Sequence, residues 1–486
     1  MPDRSTPAAA PGWAAALAGV VGVGVALALA ELLSGLTRAV PSPVEAVGQQ
    51  VIPITPEPVV RWAIDTFGTS DIAVLNGGTT VLALLLGGVA GLAARRAPAL
   101  PVALFVGFAA LGLWAALAGA PAQPLPTAGV LLVATLAGLA MLRALLRRSP
   151  AGAGAATGGG GLDRRRFLTG AAGIGAAAVV AASTGRFVLR GNLAVVDPDE
   201  VALPEPARAL PPAPADASLD IDGLSELYTP NDRFFVIDTA VRTPQVAPED
   251  WSLRIHGLVD REVVLTYDDL LAEPLEEIDA TIACVSNEVG GDLVGNARWL
   301  GTRLEALLER AGVQAEAEQI IGRSVDGFTA GFPARLIVPG LYGYVSATKW
   351  LTEIELTTWD VEGYWVPRGW AREGPIKTQS RIDVPRSGEQ VSAGETVVAG
   401  VAFAPTRGIS EVEVRLDDGE WRTAELAEGV ADSAWVQWMA RLDVGGGDHV
   451  VQVRARDGEG ELQAEGPQPP RPDGAEGRHR VTFRAA

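Results

Sequence analysis

Cys284 is the single cysteine in a chain of 486 residues. It ends the apolar run 281–283 and is followed by a loop carrying Gly290, Gly291 and Gly295. A lone thiol in such a place is either a small buried hydrophobe or a nucleophile. A nucleophile needs a base, and His256 is the nearest in sequence of three histidines, with His449 and His479 far beyond. Glycines let a backbone come close to a bulky ligand, and a cysteine just past a strand end points into such a crevice. With one cysteine there is no internal disulfide, so pairing says nothing about the redox compartment.

The elements that must hold this thiol are well punctuated. The expected order is strand, Cys284, glycine-rich loop, helix. Thr302 and Glu305 have the spacing of a capping box, Leu304, Leu307, Leu308 and Ala311 form an apolar stripe, and Gly312 stops the helix. "WSLRIHGLV", "RLIVPG" and "TEIELTTW" read as strands around it. From Pro375 the pattern changes to short alternating strands with Asp-Gly turns, as in "SEVEVRLDDGEW" and "HVVQVRARDGEG". That pattern predicts a β-sandwich of Ig type. Glu411, Glu413 and Arg415 alternate with Val412 and Val414 as a solvated strand face.

Composition points to a second kind of environment. A hydrophobic share of 48% sits beside a net charge of -19, as expected of a membrane part joined to an acidic soluble part. Such a charge makes nucleic acid an unsuitable partner, because phosphate neutralisation needs clustered Lys and Arg. A bilayer is crossed by about 20 apolar residues, and the first 150 residues hold four such runs, near 13–33, 72–94, 99–119 and 127–146. Arg95 and Arg96 follow the second run, and Arg143, Arg147 and Arg148 close the fourth, which places both of those ends inside. Few ionisable residues lie in the runs, so no ion path is indicated, and no paired histidines suggest a haem among them. A Gly- and Ala-rich linker follows, then Arg164, Arg165, Arg166, Phe167 and Leu168 ahead of a small-residue run to Ser183. This resembles a twin-arginine export signal set inside the chain, kept as a fifth anchoring helix. Everything after Arg190 is then outside.

Several motifs in order carry a resemblance: "YTPNDRFF" at 228–235, "CVSN" at 284–287, "GNARWLGTRLEALLERAG" at 295–312, "ARLIVPGLYGYVSATKWL" at 334–351, and the alternating tail. Together they resemble the sulfite oxidase family of molybdopterin enzymes, from about Tyr228 to the C-terminus. The resemblance implies that Cys284 is the catalytic thiolate ligand of molybdenum, beside the dithiolene of a single pterin. A soft thiolate suits a metal already bound by sulfur. It further implies that Asn231 contacts the pterin, and that Arg335, Ser346 and Lys349 hold its phosphate, which needs charge-assisted donors. The implied reaction is two-electron oxygen-atom transfer on a small molecule, with electrons passed to an external cytochrome, quinone or membrane subunit, in a possible homodimer.

The expected architecture is multi-domain. It comprises a transmembrane α-helical region, 1–150, then a linker, twin-arginine-like signal and fifth helix, 151–190. A Pro/Ala-rich tether, 191–222, leads to an α+β molybdopterin-binding domain, 223–370, and an Ig-like β-sandwich, 375–486. Two departures from the family stand out. Where sulfite-oxidising members place arginines in the substrate pocket, this chain has Val236 and Glu288-Val289, which makes a neutral sulfoxide, an N-oxide or another small oxyacceptor at least as suitable as a sulfite-like substrate. The stretch "SVDGFTAGFPARLIVPG" also lacks the family's Asn-Gly and His, as if a piece of the pterin pocket wall were missing. Two other readings follow: a degenerate, metal-free member acting as an anchored binding module, and a Cys hydrolase, which lacks an evident histidine partner.

Overall fold

The computed structural model describes residues 10–37, 39–56, 59, 62–63, 66–67, 70–118, 122–149, 160–189, 201–237, 246–324 and 334–486. These fall into two compact units, one up to Leu189 and one from Val201 onward.

In the N-terminal unit, five helices among the described residues are long and apolar enough to cross a membrane. They lie at Gly12–Ser34, Asp71–Ala93, Ala99–Ala118, Pro124–Arg147 and Arg164–Leu189. The helices Asp71–Ala93, Pro124–Arg147 and Arg164–Leu189 pack on the first, whose face is nearly free of side-chain bulk: Ala14, Ala15 and Ala18 are fully buried. A Cβ on Gly19 would lie 2.0 Å from the Gly87 carbonyl oxygen, and one on Gly91 would lie 1.9 Å from that of Ala15. Small residues at such crossings let helix backbones touch, which is how helices associate where lipid removes the hydrophobic drive. The opposite faces carry exposed Leu82, Leu85 and Val89, apolar side chains turned outward. A short helix, Pro43–Val51, capped by Ser42, follows the first span. On the fifth, Phe167 is buried edge-on against Trp13, with Arg164 over the same indole. Most of the Gly-rich linker lies outside the described residues.

The second unit contains a four-stranded mixed sheet, ordered β2–β1–β6–β5, from β1 (Ser252–Gly257), β2 (Val263–Thr266), β5 (Gln319–Ser324) and β6 (Leu351–Thr357). Only β1 and β6 run parallel. The helix Leu304–Ala311 lays Leu307 and Ala311 onto the core made by Trp251, Ile255, Leu265 and Ile354. It stops at Gly312, whose φ of 72° is the left-handed cap expected of glycine. Its start differs from expectation: Arg303 is the cap residue, with no side-chain hydrogen bond, so Thr302 and Glu305 form no capping box. A reciprocal box does exist at Thr266 and Asp269. "RLIVPG" forms no strand, only an isolated bridge at Arg335.

The order around Cys284 also differs. Between the glycine loop and the helix runs a return strand, β4 (Val294–Gly301), paired antiparallel with β3 (Glu276–Ala283) in a separate hairpin. Cys284 is therefore a hairpin-loop residue.

The C-terminal alternation folds as expected into two sheets, of five strands and of four. Their inward residues, among them Val398, Val412, Trp438, Val453 and Phe483, form one core. This sandwich also shares a second core with the hairpin, where Ala283, Val285 and Val294 meet Ile376, Val401, Phe403 and Trp435. The described part of the expected tether, 201–222, is likewise docked. The Ala207 and Leu210 N–H groups donate to the Leu275 carbonyl and the Glu277 carboxylate, Leu219 N–H donates to Gln437, and Ala217 is buried. Proline-rich composition removes helix and strand there without preventing hydrogen bonding to neighbours.

Candidate functional site

The hairpin is fixed first, because everything at the site hangs from it. Asp279 on β3 takes a bidentate pair from Arg298 on β4, both contacts at 2.9 Å, and the Tyr228 hydroxyl donates to the same carboxylate at 3.0 Å. Burial and the Asp279 charge push the Tyr228 hydroxyl above its ordinary pKa. Two register steps away, Asn296 is fully buried. Its side chain accepts from Thr281 Oγ1 and donates to the Leu227 carbonyl, while its backbone exchanges hydrogen bonds with Thr229. These contacts stitch residues 227–229 to the hairpin, joining two of the motifs that carried the resemblance. From the sandwich, Ser433 and Trp435 bond to Asp279 and Thr281.

Beyond this frame the loop closes on itself. Cys284 N–H donates to the Leu293 carbonyl at 2.9 Å, Asn287 N–H to the Cys284 carbonyl at 3.0 Å, and Leu293 N–H to the Asn287 side chain at 2.9 Å. Cys284 itself is half-buried, and its sulfur accepts from the Ser286 N–H at 3.4 Å. Burial pushes its thiol pKa up, opposed by Ser286 and the Lys349 charge. The thiol thus stays protonated at neutral pH, and a soft metal bound there would take the place of the proton.

The glycines do not make the room expected of them. A Cβ on Gly290 would sit 2.2 Å from the His479 ring, one on Gly291 2.5 Å from Asn287 Oδ1, and one on Gly295 2.8 Å from the Phe234 ring. The neighbours that require glycine are protein side chains.

The ligand space lies on the other side of the cysteine. A cleft is lined by Cys284, Ser286, Ile282, Arg335, Lys349 and Ala347, with aromatic walls from Phe234, Phe235, Tyr344, Trp365 and Trp370. Arg335 and Lys349 are partners across an isolated antiparallel bridge, and the Arg335 guanidinium stacks over Trp299 at 5.4 Å. Lys349 Nζ donates to the Ile237 carbonyl at 3.3 Å. The Tyr344 hydroxyl donates to the Ala371 carbonyl at 2.7 Å, and burial pushes its pKa up to about 12, so it stays protonated.

The structure thus brings Cys284, Arg335 and Lys349 to one cleft. Asn231 is exposed on a 3-10 turn outside the lining, and the Ser346 hydroxyl, fully buried, is shared between the Leu341 and Tyr342 carbonyls. Val236 and Glu288 are exposed, also outside the lining. No histidine lines the cleft, and His256 faces Glu353 at 3.3 Å, so a hydrolytic Cys-His pair is not assembled among the described residues. The shortened stretch around residues 325–333 lies outside the described residues. Sequence reasoning missed the aromatic walls; Phe234 and Phe235 stood in a quoted motif, but Trp365 and Trp370 had no pattern to mark them.

A molybdenum–pterin group is compatible with these residues. Among the described residues no three His, Cys, Asp or Glu side chains gather to hold a metal. A metal at Cys284 would therefore need most of its ligands from a non-protein group, as a dithiolene supplies. Two cations on one wall of the cleft suit a phosphate.

The "Oxidoreductase molybdopterin binding domain" family model matches residues 240–330 and 327–365, two stretches that meet where the sequence departs from the family. The mitochondrial sulfite oxidase of Drosophila melanogaster is 28% identical over 352 residues, 55% of this chain and 60% of that protein. The human one is 26% identical over 307 residues, 47% and 56% of the two chains. The chain therefore spans less than two thirds of either sulfite oxidase. A Bacillus subtilis (strain 168) protein described as "Uncharacterized oxidoreductase YuiH" is 30% identical over 151 residues, 26% of this chain and 74% of that protein. With the motifs in order, a cysteine in a phosphate-compatible cleft and these relatives, the chain belongs to the sulfite oxidase family of molybdopterin-dependent oxidoreductases.

Proposed function

We propose that this chain is a membrane-anchored oxidoreductase that performs two-electron oxygen-atom transfer on a small neutral substrate at Cys284. The observation that carries this reading is one cleft joining the only thiol to the bridged cations Arg335 and Lys349. Bound there, a molybdenum–pterin group supplies the two-electron redox chemistry. Cys284 holds the metal, and Arg335 and Lys349 hold the phosphate end. The aromatic walls exclude water and orient the substrate's apolar part. Among the described lining residues the cations are these two alone, and the phosphate engages both. A dianion such as sulfite then meets little free positive charge, whereas a sulfoxide or N-oxide needs none.

The arginines at residues 95–96 and 143–148, and Arg164 to Arg166 at the start of the fifth span, support an outer-face position for the oxidoreductase unit by the positive-inside rule. Export of a folded, cofactor-loaded unit fits a twin-arginine signal. An external cytochrome, quinone or membrane subunit exchanges the electrons, and the Ig-like sandwich offers the surface for a homodimer.

Molybdenum per chain decides the matter, measured in the wild type and Cys284→Ser made in a host that synthesises the cofactor. Near-stoichiometric metal in the first and far less in the second is expected. No metal in either, from folded chains, would leave the anchored, metal-free binding module as the function.

A further inference from the structure

We propose that Arg381, on the sandwich, is a positioning residue for Cys284, holding the cysteine loop from outside the matched family domain. The proposal rests on Cys284 being the metal ligand. Arg381 lies on the strand Gln379–Val384, about a hundred residues along the chain from the thiol it serves. Its guanidinium spends its donors in three directions: Nη1 to the Gly291 carbonyl at 2.9 Å, Nη2 to Ser225 Oγ at 2.7 Å, and Nε to Asp383 Oδ1 at 2.6 Å. Asp383 is in turn held by the Ser225 N–H at 3.1 Å.

The other hydrogen bonds described for loop 285–292 are made within residues 284–293, so among the described residues Arg381 alone bonds the loop from outside. On the same side, the His479 ring packs against Gly290, whose φ is 78°. That ring is itself fixed, since its Nδ1 accepts the Ile382 N–H at 3.0 Å. The loop is therefore clamped at two successive glycines by the sandwich, and Cys284 sits where the clamped loop joins β3. A planar fork with five N–H donors can satisfy three partners at fixed angles, which a lysine ammonium on a flexible stem cannot. Groups that fix a metal ligand from behind typically change metal affinity about 10–100-fold when removed.

The chain's single thiol makes the test clean. Using the full chain in detergent, the alkylation rate of Cys284 by a small iodoacetamide is compared in metal-free wild type, Arg381→Ala, Arg381→Lys and the surface control Arg441→Ala, whose Glu395 partner is exposed on the same sandwich. Molybdenum retained after dialysis is measured in parallel on cofactor-loaded protein. Arg381→Ala is expected to alkylate on the order of 10-fold faster and to retain about 10–100-fold less metal. Arg381→Lys should be intermediate, and Arg441→Ala unchanged. An Arg381→Ala protein with the wild-type unfolding midpoint and the wild-type alkylation rate overturns the proposal. If that variant does not fold, Arg381→Lys with an unchanged rate overturns it instead. Absence of molybdenum from every protein, wild type included, would fail the cofactor reading while the alkylation rates still judge the clamp.

Discussion

Arg335 and Lys349 face one another across an antiparallel bridge, and both side chains line the cleft that holds Cys284. Two cations so placed, one stacked on Trp299, form a prepared seat for an anion. A charged hydrogen bond is worth about 1.5–3 kcal/mol, and about 1.4 kcal/mol is tenfold in affinity. Arg335→Ala with Lys349→Ala should therefore lower molybdenum and phosphorus retention in parallel by at least about tenfold. Metal analysis after extended dialysis checks it, and loss of phosphorus without loss of metal would separate the two contacts.

Asn296 is the buried hinge between the hairpin and residues 227–229. Asn296→Ala strands the Thr281 hydroxyl and the Leu227 carbonyl, although each retains one contact to Trp435. The expected loss is about 1–3 kcal/mol, the penalty for leaving a buried polar group short of partners. A urea unfolding midpoint followed by tryptophan fluorescence reads it, with no change expected in the slope.

Gly290 and His479 form a pair that tests why the glycine is there. Gly290→Ala drives a methyl into the imidazole and also forces a left-handed φ on alanine. Backbone strain of this kind costs about 1–3 kcal/mol before the clash is counted. His479→Ala in the same chain should return the clash part and leave the strain. If the double variant is no more stable than Gly290→Ala alone, the ring is not what demands glycine.

In the N-terminal unit, Gly87 lies against Gly19 and Val23, whereas Gly77 has open space around it. Gly87→Leu should separate the helices Gly12–Ser34 and Asp71–Ala93 at a cost on the order of 1–3 kcal/mol. Gly77→Ala should be neutral or slightly stabilising. Thermal stability in detergent, with Gly77→Ala as the matched control, distinguishes backbone contact from a general sensitivity of the helices to side chains.

The parts legible in the sequence are those set by local pattern. Five apolar runs, the strand alternation after Pro375 and the stop at Gly312 each follow from the residues themselves. The hairpin return strand was hidden because its burial is decided elsewhere: Asn296 is interior only because Thr281, Leu227 and Thr229 bring it partners. The cleft walls failed for the same reason, since Phe234 and Trp370 come together only through the fold. Thr302 and Glu305 had the right spacing, yet the helix begins after Arg303, so pattern alone misplaced the cap. Cys284 drew notice as a candidate through the resemblance, while its loop's contact with Arg381 spans a distance in sequence that no motif covers.

Asp457 offers a stability test with a defined sign. The buried carboxylate accepts from Arg407 Nε at 2.9 Å and Thr378 Oγ1 at 3.1 Å on one oxygen, and from the Glu459 and Glu461 N–H groups on the other. Burial alone would raise its pKa, but Arg407, Glu461 and Thr378 together hold it below the ordinary 3.8. A depressed carboxylate contributes stability that is complete above its unfolded-state value and drains away as pH falls through the folded-state value. Asp457→Ala leaves the half-buried Arg407 without its charge partner and should cost about 1.5–3 kcal/mol at neutral pH, the worth of a hydrogen bond to a charged group. The wild type protonates Asp457 only in acid, so the gap between the two proteins should stay constant down to about pH 4 and narrow below it. Urea midpoints at pH 7, 5 and 3 measure that gap. A gap that does not narrow as pH falls through the unfolded-state value would mean the residue acts through packing and hydrogen bonds that do not depend on its charge.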